Sequence, residues 1–476
     1  MTDLPCSFED ATALIEAVIA DRGLLAPLTS EQRKRFLMAA GQVVIPDKAA
    51  KKQLKKAQRK KDKVTKRDID RNALSHTGIR KLRENPIFET PKRLGIAPKD
   101  TAPIGQTAEE RVCYVCRERF QDVHHFYDQM CLSCGDENFA KRTQTADLTG
   151  RVALVTGSRV KIGYQAAILL LRSGAHVICT TRFPVDAASR YAREDDFDDW
   201  KDRIEIHGID LRHTPSVEAL CADLLERHDR LDVIINNACQ TVRRPPAFYE
   251  HMMAGELEAS EDSPGRALVA SSRAAAMTAA QLSQVALLPE DRVDPTALFP
   301  ADKLDADLQQ VDLRDVNSWR LKMHEVPAIE LLEVHLVNAV APFILNARLK
   351  PLMAKVQTND THIINVSAME GQFYRTFKSD RHPHTNMAKA SLNMMTRTSG
   401  QDYVEHGIHM NSVDTGWVTD EDPAVHAEIK KAMHDFHPPL DIVDGAARIV
   451  DPFMEGQRSG KHVWGQFLKD YRVTDW

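Results

Sequence analysis

The fold of this 476-residue chain is indicated most clearly by the stretch Val152-Ala-Leu-Val-Thr-Gly157-Ser-Arg-Val-Lys-Ile-Gly163. An apolar run leads directly into a glycine, which is typical of a buried strand that ends in a tight turn. A second glycine, Gly163, follows where an apolar helical pattern begins. Backbone amides of such a turn, at the N-terminus of a helix, can approach and bind a phosphate. The stretch therefore predicts a strand, a phosphate-binding turn and a helix.

Strand and helix patterns alternate from residue 148 to residue 476, and this alternation indicates a parallel sheet with helices on both faces. The fold class predicted for this part is α/β, with a doubly wound parallel sheet. The predicted strands are 151–156, 175–180, 204–208, 231–235, 361–366 and 407–413.

Further motifs follow the glycine turn in a fixed order. They are Asn236-Asn-Ala-Cys239, Asn338 in Val-Asn-Ala-Val-Ala-Pro-Phe343, Ile363-Ile-Asn-Val-Ser-Ala368 and Thr385-Asn-Met-Ala-Lys389. With the glycine turn, this order resembles the short-chain dehydrogenase/reductase family. The resemblance implies a Rossmann-type fold, a dinucleotide cofactor and an oxidoreductase reaction on a small molecule.

The resemblance also implies which residues contact the cofactor. They are Gly157, Arg159, Ile162, Gly163, Arg182, Asp210, Leu211, Asn237, Ala238, Lys389, Gly416 and Val418. The middle glycine of the family turn is replaced by Lys161.

The choice of dinucleotide follows from charge at the end of the second predicted strand. Family members that use NAD place a carboxylate there, whereas this chain has Cys179-Thr-Thr-Arg182 and adds Arg159 in the turn. Two guanidinium groups suit a 2′-phosphate, so we expect NADP(H). Each arginine has an alternative interpretation, a surface ion pair.

The proton donor of the family is missing. Asn338 and Lys389 match the family positions of the relay Asn and the Lys, but Thr385 stands where the family has Tyr, and Ala368 stands where it has Ser. Ser367 is adjacent to Ala368, yet one step along a strand turns a side chain to the opposite face. Thr is too short and too weak an acid to replace Tyr.

Two replacements for the missing acid are open. Tyr374 lies fifteen residues before Lys389, which is similar to the displaced Tyr of dienoyl-CoA reductases, and His382 or His384 stands closer to the Lys. We therefore predict an NADP(H)-dependent oxidoreductase that reduces a carbonyl or an activated C=C bond. The alternative is an NADP-binding pseudoenzyme that acts as a scaffold or sensor.

Four of the eight cysteines form two CxxC pairs, Cys113-x2-Cys116 and Cys131-x2-Cys134. This spacing predicts a structural zinc site with four thiolate ligands in the module 106–147. We expect the module to be an appendage that folds only with its metal, and we expect His124 and His125 to be surface residues.

The N-terminal segment 1–105 is predicted to be helical, with a second helix that begins at Thr29 and a proline-marked linker that ends the segment. Residues 1–147 carry a net charge of +6 and the remainder carries −11. Eleven of the twenty residues 48–67 are basic, which indicates either a solvated helix or a contact with a polyanion or protein. We also expect a homo-oligomer.

The third segment, 148–476, holds an insertion at about 241–325. Helical runs are predicted at 265–287 and 301–310, and the insertion is a lid over the substrate cleft or an oligomerisation element. No membrane span is expected, because no run of about 18 apolar residues occurs. The scattered cysteines outside the two pairs suit a reducing cytoplasm.

Overall fold

The computed structural model describes residues 6–92, 102–258, 265–270, 277–292, 298–300, 303–374, 378–419, 421–434 and 437–476. The chain divides into two compact units, Met1–Asp70 and Arg71–Trp476. This division differs from the boundaries predicted near 105 and 147, since the cysteine module belongs to the same compact unit as the sheet. Part of the predicted linker, 93–101, lies outside the described residues.

The first unit is helical, as expected. It contains α1 (Phe8–Ala20), α2 (Ser30–Val44) and most of α3 (Lys48–Ser75). Thr29 caps α2 through a reciprocal capping box with Gln32. Among the described residues of this unit, Leu25 alone is buried, so the unit has little hydrophobic core of its own.

The second unit is built from helices of very different lengths, a two-stranded hairpin and one large sheet. After α3 its helices and strands are α4 (Gly78–Leu82), β1 (Gln106–Val112), β2 (Arg119–Asp122), α5 (Leu132–Lys141), β3 (Val152–Thr156), α6 (Lys161–Arg172), β4 (His176–Thr181), α7 (Pro184–Tyr191), β5 (Ile204–Gly208), α8 (Thr214–Arg227), β6 (Val233–Asn236), α9 (Glu250–Glu258), α10 (Ala279–Ser283), α11 (Ala328–His335), α12 (Ala341–Ala354), β7 (Thr361–Ser367), α13 (Pro383–Val404), β8 (Ile408–Asp414), α14 (Ala424–His434), α15 (Ile442–Ser459), β9 (Phe467–Lys469) and β10 (Arg472–Thr474).

The sheet has the strand order β10-β9-β8-β7-β6-β3-β4-β5. Strands β3 to β9 are parallel, and β10 returns antiparallel to β9. All six predicted strands are present, and the α/β prediction is confirmed. The order reverses at β3, which lies between β4 and β6, so a ligand crevice is expected at the carboxyl ends of these strands.

Helices cover both faces of the sheet and bury two hydrophobic cores. One core packs α6 and α15 against the sheet, and it includes Leu170 and Phe453. The other packs α8 and α12 on the opposite face, and it includes Leu224 and Leu349. The long runs of buried residues in β7 and β8 follow from this cover on both faces.

The insertion is mostly irregular where it is described. The predicted helix at 265–287 is reduced to one 3₁₀ turn, Arg266–Leu268, and the short α10, with 271–276 outside the described residues. The predicted helix at 301–310 is wrong over its described part, 303–310, because Leu304 pairs with Gln310 across a turn. Local helix propensity there yields to packing against the sheet domain.

One helical segment, Ala328–Ala354, is long and apolar enough to cross a membrane by length and composition alone. It comprises α11, a π-helical turn at Leu336–Val340, and α12. Leu345, Leu349 and Leu352 on α12 are fully packed in the sheet core, as in the core helix of a globular domain. The expectation of no membrane span stays a prediction.

Candidate active site

The glycine turn after β3 has the tight geometry that its sequence predicts. Gly157 adopts φ +67°, and a side chain there would come within 2.8 Å of the backbone of Ala238. A side chain at Gly163 would come within 2.3 Å of the Gly157 carbonyl oxygen. Lys161 adopts φ +57°, so the residue that replaces the middle glycine keeps a left-handed conformation. The turn therefore retains its shape without a glycine at the middle position.

The turn is tied to the end of β6. Asn237 donates from its side-chain amide to the carbonyl oxygens of Thr156 and Gly157, at 3.1 and 3.2 Å. The backbone amide of Ala238 donates to the Thr156 hydroxyl at 3.0 Å. Ile162 lies at the start of α6, against Gly445 of α15. The carboxyl ends of β3 and β6 thus hold the turn at the point where the strand order reverses.

The two arginines predicted to bind a 2′-phosphate lie at this end of the crevice but have partners. Arg159 is buried and donates to Asp186 at 2.7 Å and to Gln309 at 3.0 Å. Arg182 donates to the Tyr249 hydroxyl at 2.7 Å. Burial of Asp186 alone would raise its pKa, yet Arg159 and Arg190 lower it, so Asp186 is ionised. Sequence reasoning missed Asp186 because it lies beyond the strand end, inside α7.

Asp210, one of the residues that the resemblance predicts to contact the cofactor, is buried in a charged network. Asp210 accepts from Arg212 at 2.6 Å, and Arg212 continues to Glu333 at 2.8 Å. Leu211, next to Asp210, packs in the core on the α8 face. Glu333 also accepts from Arg243, the residue that begins the insertion's contact with the sheet domain.

The insertion packs against the end of the crevice that holds Arg159 and Arg182. Phe248, Tyr249, Met252 and Phe299 from the insertion form a small hydrophobic core with Phe183, which follows β4. At its other end, Trp319 stacks on His382 with ring centroids 3.8 Å apart. The insertion therefore contacts both sides of the crevice, which favours the lid interpretation.

Asn338 lies beside the segment that follows β6, and Lys389 lies beside the end of β7. Asn338 is in the π-helical turn, where its side chain accepts from the Gln240 amide at 2.7 Å and donates to the Gln240 carbonyl. Lys389 is buried and donates to the Val366 carbonyl at 2.7 Å. Ser367 donates to the Lys389 carbonyl, so its hydroxyl is directed to the backbone of α13.

The candidates for the proton donor differ in burial. Tyr374 is 87% exposed. Thr385 is buried, and its hydroxyl has no hydrogen-bond partner among the described residues. His384 is also buried, and its Nε2 lies 3.4 Å from a Glu330 carboxylate oxygen. His382 precedes α13 at φ +42°. Its ring stacks on Trp319, and its Nδ1 lies 3.1 Å from the side-chain oxygen of Asn386.

The loop after β8 lies over the same edge of the sheet. Gly416 adopts φ +74°, and a side chain there would come within 2.4 Å of Leu440 and 3.1 Å of the Tyr114 hydroxyl. The backbone amide of Trp417 donates to that hydroxyl at 2.9 Å. Val418 is buried against the cysteine module and the start of α15.

The four module cysteines converge as the CxxC spacing predicts. One sulfur from each of Cys113, Cys116, Cys131 and Cys134 lies within 4.8 Å of the others, and none forms a disulfide. The backbone amide of Cys131 donates to the Cys113 sulfur at 3.4 Å. Burial raises the pKa of the Cys134 thiol, and the charge of Cys113 raises it further. Four sulfur atoms this close fit a tetrahedral metal site, in which a cation would stabilise the thiolate form.

The module differs from the appendage that the sequence predicts. Cys113, Tyr127 and Met130 share one hydrophobic core with Leu440 and Val443 of the sheet domain. Arg142 forms a buried pair with Asp441 at 2.7 Å and extends to Asp444 at 2.9 Å.

The expectation that His124 is a surface residue is wrong. The His124 ring is fully buried. Its Nδ1 accepts hydrogen bonds from the amides of Phe126 and Tyr127 at 3.0 and 3.1 Å, and these bonds hold the turn between β2 and α5. His125 is half-buried beside it.

Two family models and several known proteins match the sequence of this chain. The short chain dehydrogenase model matches residues 151–278, and the enoyl-(acyl carrier protein) reductase model of the same group matches 316–440. An uncharacterised protein of Acanthamoeba polyphaga mimivirus is 30% identical over 371 residues, which cover 75% of this chain and 74% of that protein. The chain belongs to the short-chain dehydrogenase/reductase family.

Other relatives of this short-chain dehydrogenase/reductase are matched over less of their length. Dehydrogenase/reductase SDR family member 13 of Bos taurus is 32% identical over 146 residues, which are 27% of this chain and 37% of that protein. A metagenomic short-chain oxidoreductase solved in complex with NADP has a TM-score of 0.41 and 17% identity, over 68% of this chain and 98% of that one.

Proposed function

We propose that this family member is an NADP(H)-dependent oxidoreductase that reduces a carbonyl or an activated C=C bond of a small molecule. One observation carries the proposal. The Gly157–Gly163 turn follows β3 and the buried Lys389 lies beside the end of β7, at the same carboxyl edge on either side of β6, and Asn338 bonds to Gln240 just beyond β6. A nucleotide phosphate and a reducible substrate group would therefore meet at this edge.

The residues present fit a dinucleotide. The cradle at Gly157 and Gly163 is closed to any side chain, and the buried hydroxyls of Ser158 and Thr180 beside it have no hydrogen-bond partner among the described residues. Such groups suit phosphate or ribose oxygens. NADPH, when bound, supplies a hydride to the substrate. Lys389 would orient the nicotinamide ribose, and the backbone beyond Gly416, with Val418, would contact the carboxamide.

Preference for NADP(H) over NAD(H) rests on Arg159 and Arg182. Both guanidinium groups lie at the adenosine end, and Arg159 is paired with Asp186 in this structure. A 2′-phosphate would offer Arg159 a more highly charged partner than one carboxylate, and so would compete with Asp186.

For the proton donor, burial favours His384 over Tyr374. His384 adjoins Thr385, and its ring faces Glu330, an arrangement in which a carboxylate orients an imidazole for proton transfer. The pKa of Glu330, which burial alone would raise, is lowered by the neighbouring His384 and Ser318 side chains, so its carboxylate is ionised. Tyr374 remains the second candidate, because the resemblance to dienoyl-CoA reductases implies a displaced Tyr.

The test is NADPH oxidation over a panel of enoyl-CoA, quinone and ketone substrates. On any substrate that reacts, Lys389→Met is expected to lower kcat by at least about a hundredfold, whereas the exposed Lys355→Met serves as the matched control. His384→Gln is expected to lower kcat by about a hundredfold, because the proton donor is lost, and Tyr374→Phe is expected to leave kcat unchanged. The reverse result would assign the donor to Tyr374.

A pseudoenzyme is the competing function, and Ala368 and Thr385 at the family's Ser and Tyr positions favour it. It predicts NADPH binding with no turnover on any member of the panel. Binding measured by NADPH fluorescence, together with the rate assay, separates the two functions. Absence of NADPH binding would contradict both.

We further propose that the module holds a structural zinc ion and that the protein forms a homo-oligomer in the cytoplasm. Exposed apolar side chains on neighbouring helices support the oligomer: Leu332 on α11, Phe343 on α12, and Met387 and Met394 on α13. Sedimentation of wild type and Phe343→Asp tests it, since a charged side chain in an apolar interface would dissociate the assembly. Eight cysteines without a disulfide suit a reducing compartment.

A further inference from the structure

Three histidines meet at the amino edge of the large sheet. His362 near the start of β7 is paired in register with His409 of β8, and His462 follows α15. One ring nitrogen from each lies within 4.8 Å of the other two, and His362 Nε2 is 2.9 Å from His462 Nδ1. The nucleotide turn and Lys389 lie at the carboxyl edge, roughly 16 Å away along β7. The cluster is therefore separate from the candidate active site.

The histidines have lone pairs available for a ligand. Burial lowers the pKa of all three rings, and the neighbouring imidazoles lower the pKa of His362 and His409 further, so the rings are neutral at pH 7. His409 Nδ1 lies 3.2 Å from the Thr361 carbonyl oxygen. A carbonyl only accepts, so Nδ1 carries the proton and Nε2 keeps its lone pair, the arrangement that orients a metal-ligating imidazole.

The surroundings leave room for the rings to converge. At Gly456 on α15, a side chain would come within 2.4 Å of His462 Nδ1 and 3.1 Å of His362 Nε2. His362 Nδ1 is buried without a hydrogen-bond partner among the described residues. The nearby Asp360 carboxylate acts on all three rings by raising their pKa, although Arg151 pairs with it at 2.6 Å.

We propose that His362, His409 and His462 bind one divalent transition-metal ion of the zinc class. Three neutral imidazoles at bonds of about 2.0–2.1 Å suit zinc, cobalt or nickel, and water would complete the shell because His462 is only half-buried. Binding requires the His362–His462 pair to open by a few tenths of an ångström and the third ring to move inward. The ion would link β7 and β8 to the segment that leads into β9 and β10.

The test is a cobalt(II) titration of the full chain with its cysteine site left as purified. Wild type is expected to gain about one equivalent of cobalt with visible ligand-field bands but without thiolate-to-cobalt charge transfer, which distinguishes imidazole from cysteine ligands. His462→Gln is expected to weaken this binding by at least about tenfold. His406→Gln, at an exposed histidine, is the matched control and should retain it. Equal cobalt binding in wild type and His462→Gln would overturn the proposal.

Thermal unfolding gives a second, independent measurement. A ligand that binds the folded state raises the unfolding temperature, so cobalt is expected to stabilise wild type and His406→Gln but not His462→Gln. Should His462→Gln fail to fold, His409→Gln takes its place in both experiments. Stabilisation by cobalt that survives both substitutions would also overturn the proposal. Neither measurement depends on NADPH or on turnover.

Discussion

The hydroxyl of Tyr114, a residue between two module cysteines, accepts a hydrogen bond from the backbone amide of Trp417 at 2.9 Å. Trp417 belongs to the loop that follows β8 and passes over the carboxyl edge of the sheet. Tyr114 follows Cys113 directly in the chain. This hydrogen bond therefore joins the proposed metal site to the proposed nicotinamide loop. The module thus forms part of the wall of the candidate active site.

Tyr114→Phe is expected to weaken NADPH binding severalfold, because Trp417 loses its acceptor and the loop becomes less ordered; a lost hydrogen bond of this kind is worth about 1 kcal/mol. NADPH fluorescence titration measures the effect. Tyr403→Phe is the matched control, because Tyr403 lies near the C-terminus of α13 and its hydroxyl donates to the Asn346 carbonyl. Equal loss in both variants would contradict a specific role of the Tyr114 contact.

Loss of the metal is expected to destabilise the whole second unit. Cys113→Ser removes one ligand and, because the module shares a hydrophobic core with Leu440 and Val443, unfolding would spread beyond residues 106–147. We expect less than half an equivalent of metal and a lower unfolding temperature for the sheet domain. Cys221→Ser, at a buried cysteine of α8, is the control for loss of a thiol. Zinc-free protein with an unchanged unfolding temperature would show that the module is an appendage after all.

Arg159→Ala is expected to reduce affinity for NADPH by at least about tenfold and affinity for NADH by much less, because only NADPH has the 2′-phosphate. Paired affinity measurements for the two nucleotides give the ratio directly. Arg193→Ala, at an exposed arginine of the same region, should leave the ratio unchanged. If Arg159→Ala weakens both nucleotides equally, Arg159 serves the fold through Asp186.

Asp414, at the end of β8, is predicted to make stability depend on pH. Burial, together with the charges of Glu370 and Asp470, raises the pKa of Asp414 to about 6, although Lys469 and the Met369 amide oppose this rise. A raised folded-state pKa gives stability that is present below the unfolded value of 3.8 and is lost as the pH rises through 6. Asp414→Asn should therefore stabilise the protein by about 1–3 kcal/mol at pH 8 and by almost nothing below pH 4. Urea unfolding at both pH values checks this, with the exposed Asp315→Asn as control.

The basic part of α3 offers a test of the polyanion interpretation. Residues 48–67 are all exposed along a helix and carry eleven basic residues. If they bind nucleic acid through phosphates, affinity for generic RNA falls steeply between 50 and 200 mM salt. Replacing Lys55, Lys56, Lys60 and Lys61 by Gln should reduce both affinity and salt slope. Binding that is absent, or independent of salt, would leave a solvated helix.

The strands of the sheet domain follow from its local sequence. Buried parallel strands appear as continuous apolar runs, and a glycine at a strand end has few conformational alternatives, so β3 to β8 and the Gly157 turn were predictable. The convergence of the two CxxC pairs was also predictable, because tetrahedral coordination constrains the spacing of the ligands. Strands β9 and β10 were missed because three-residue strands leave little periodic signal.

Which side chains are neighbours depends on the tertiary structure. Asp186 faces Arg159 and Tyr114 reaches Trp417 through contacts between residues far apart in the chain, for which no local pattern exists. The insertion packs beside the end of β4 because its aromatic side chains contact Phe183. His362, His409 and His462 look unrelated in sequence, and they meet because two adjacent parallel strands and the end of α15 converge on one edge of the sheet. Local sequence determines backbone conformation, whereas side-chain clusters depend on the packing of distant segments.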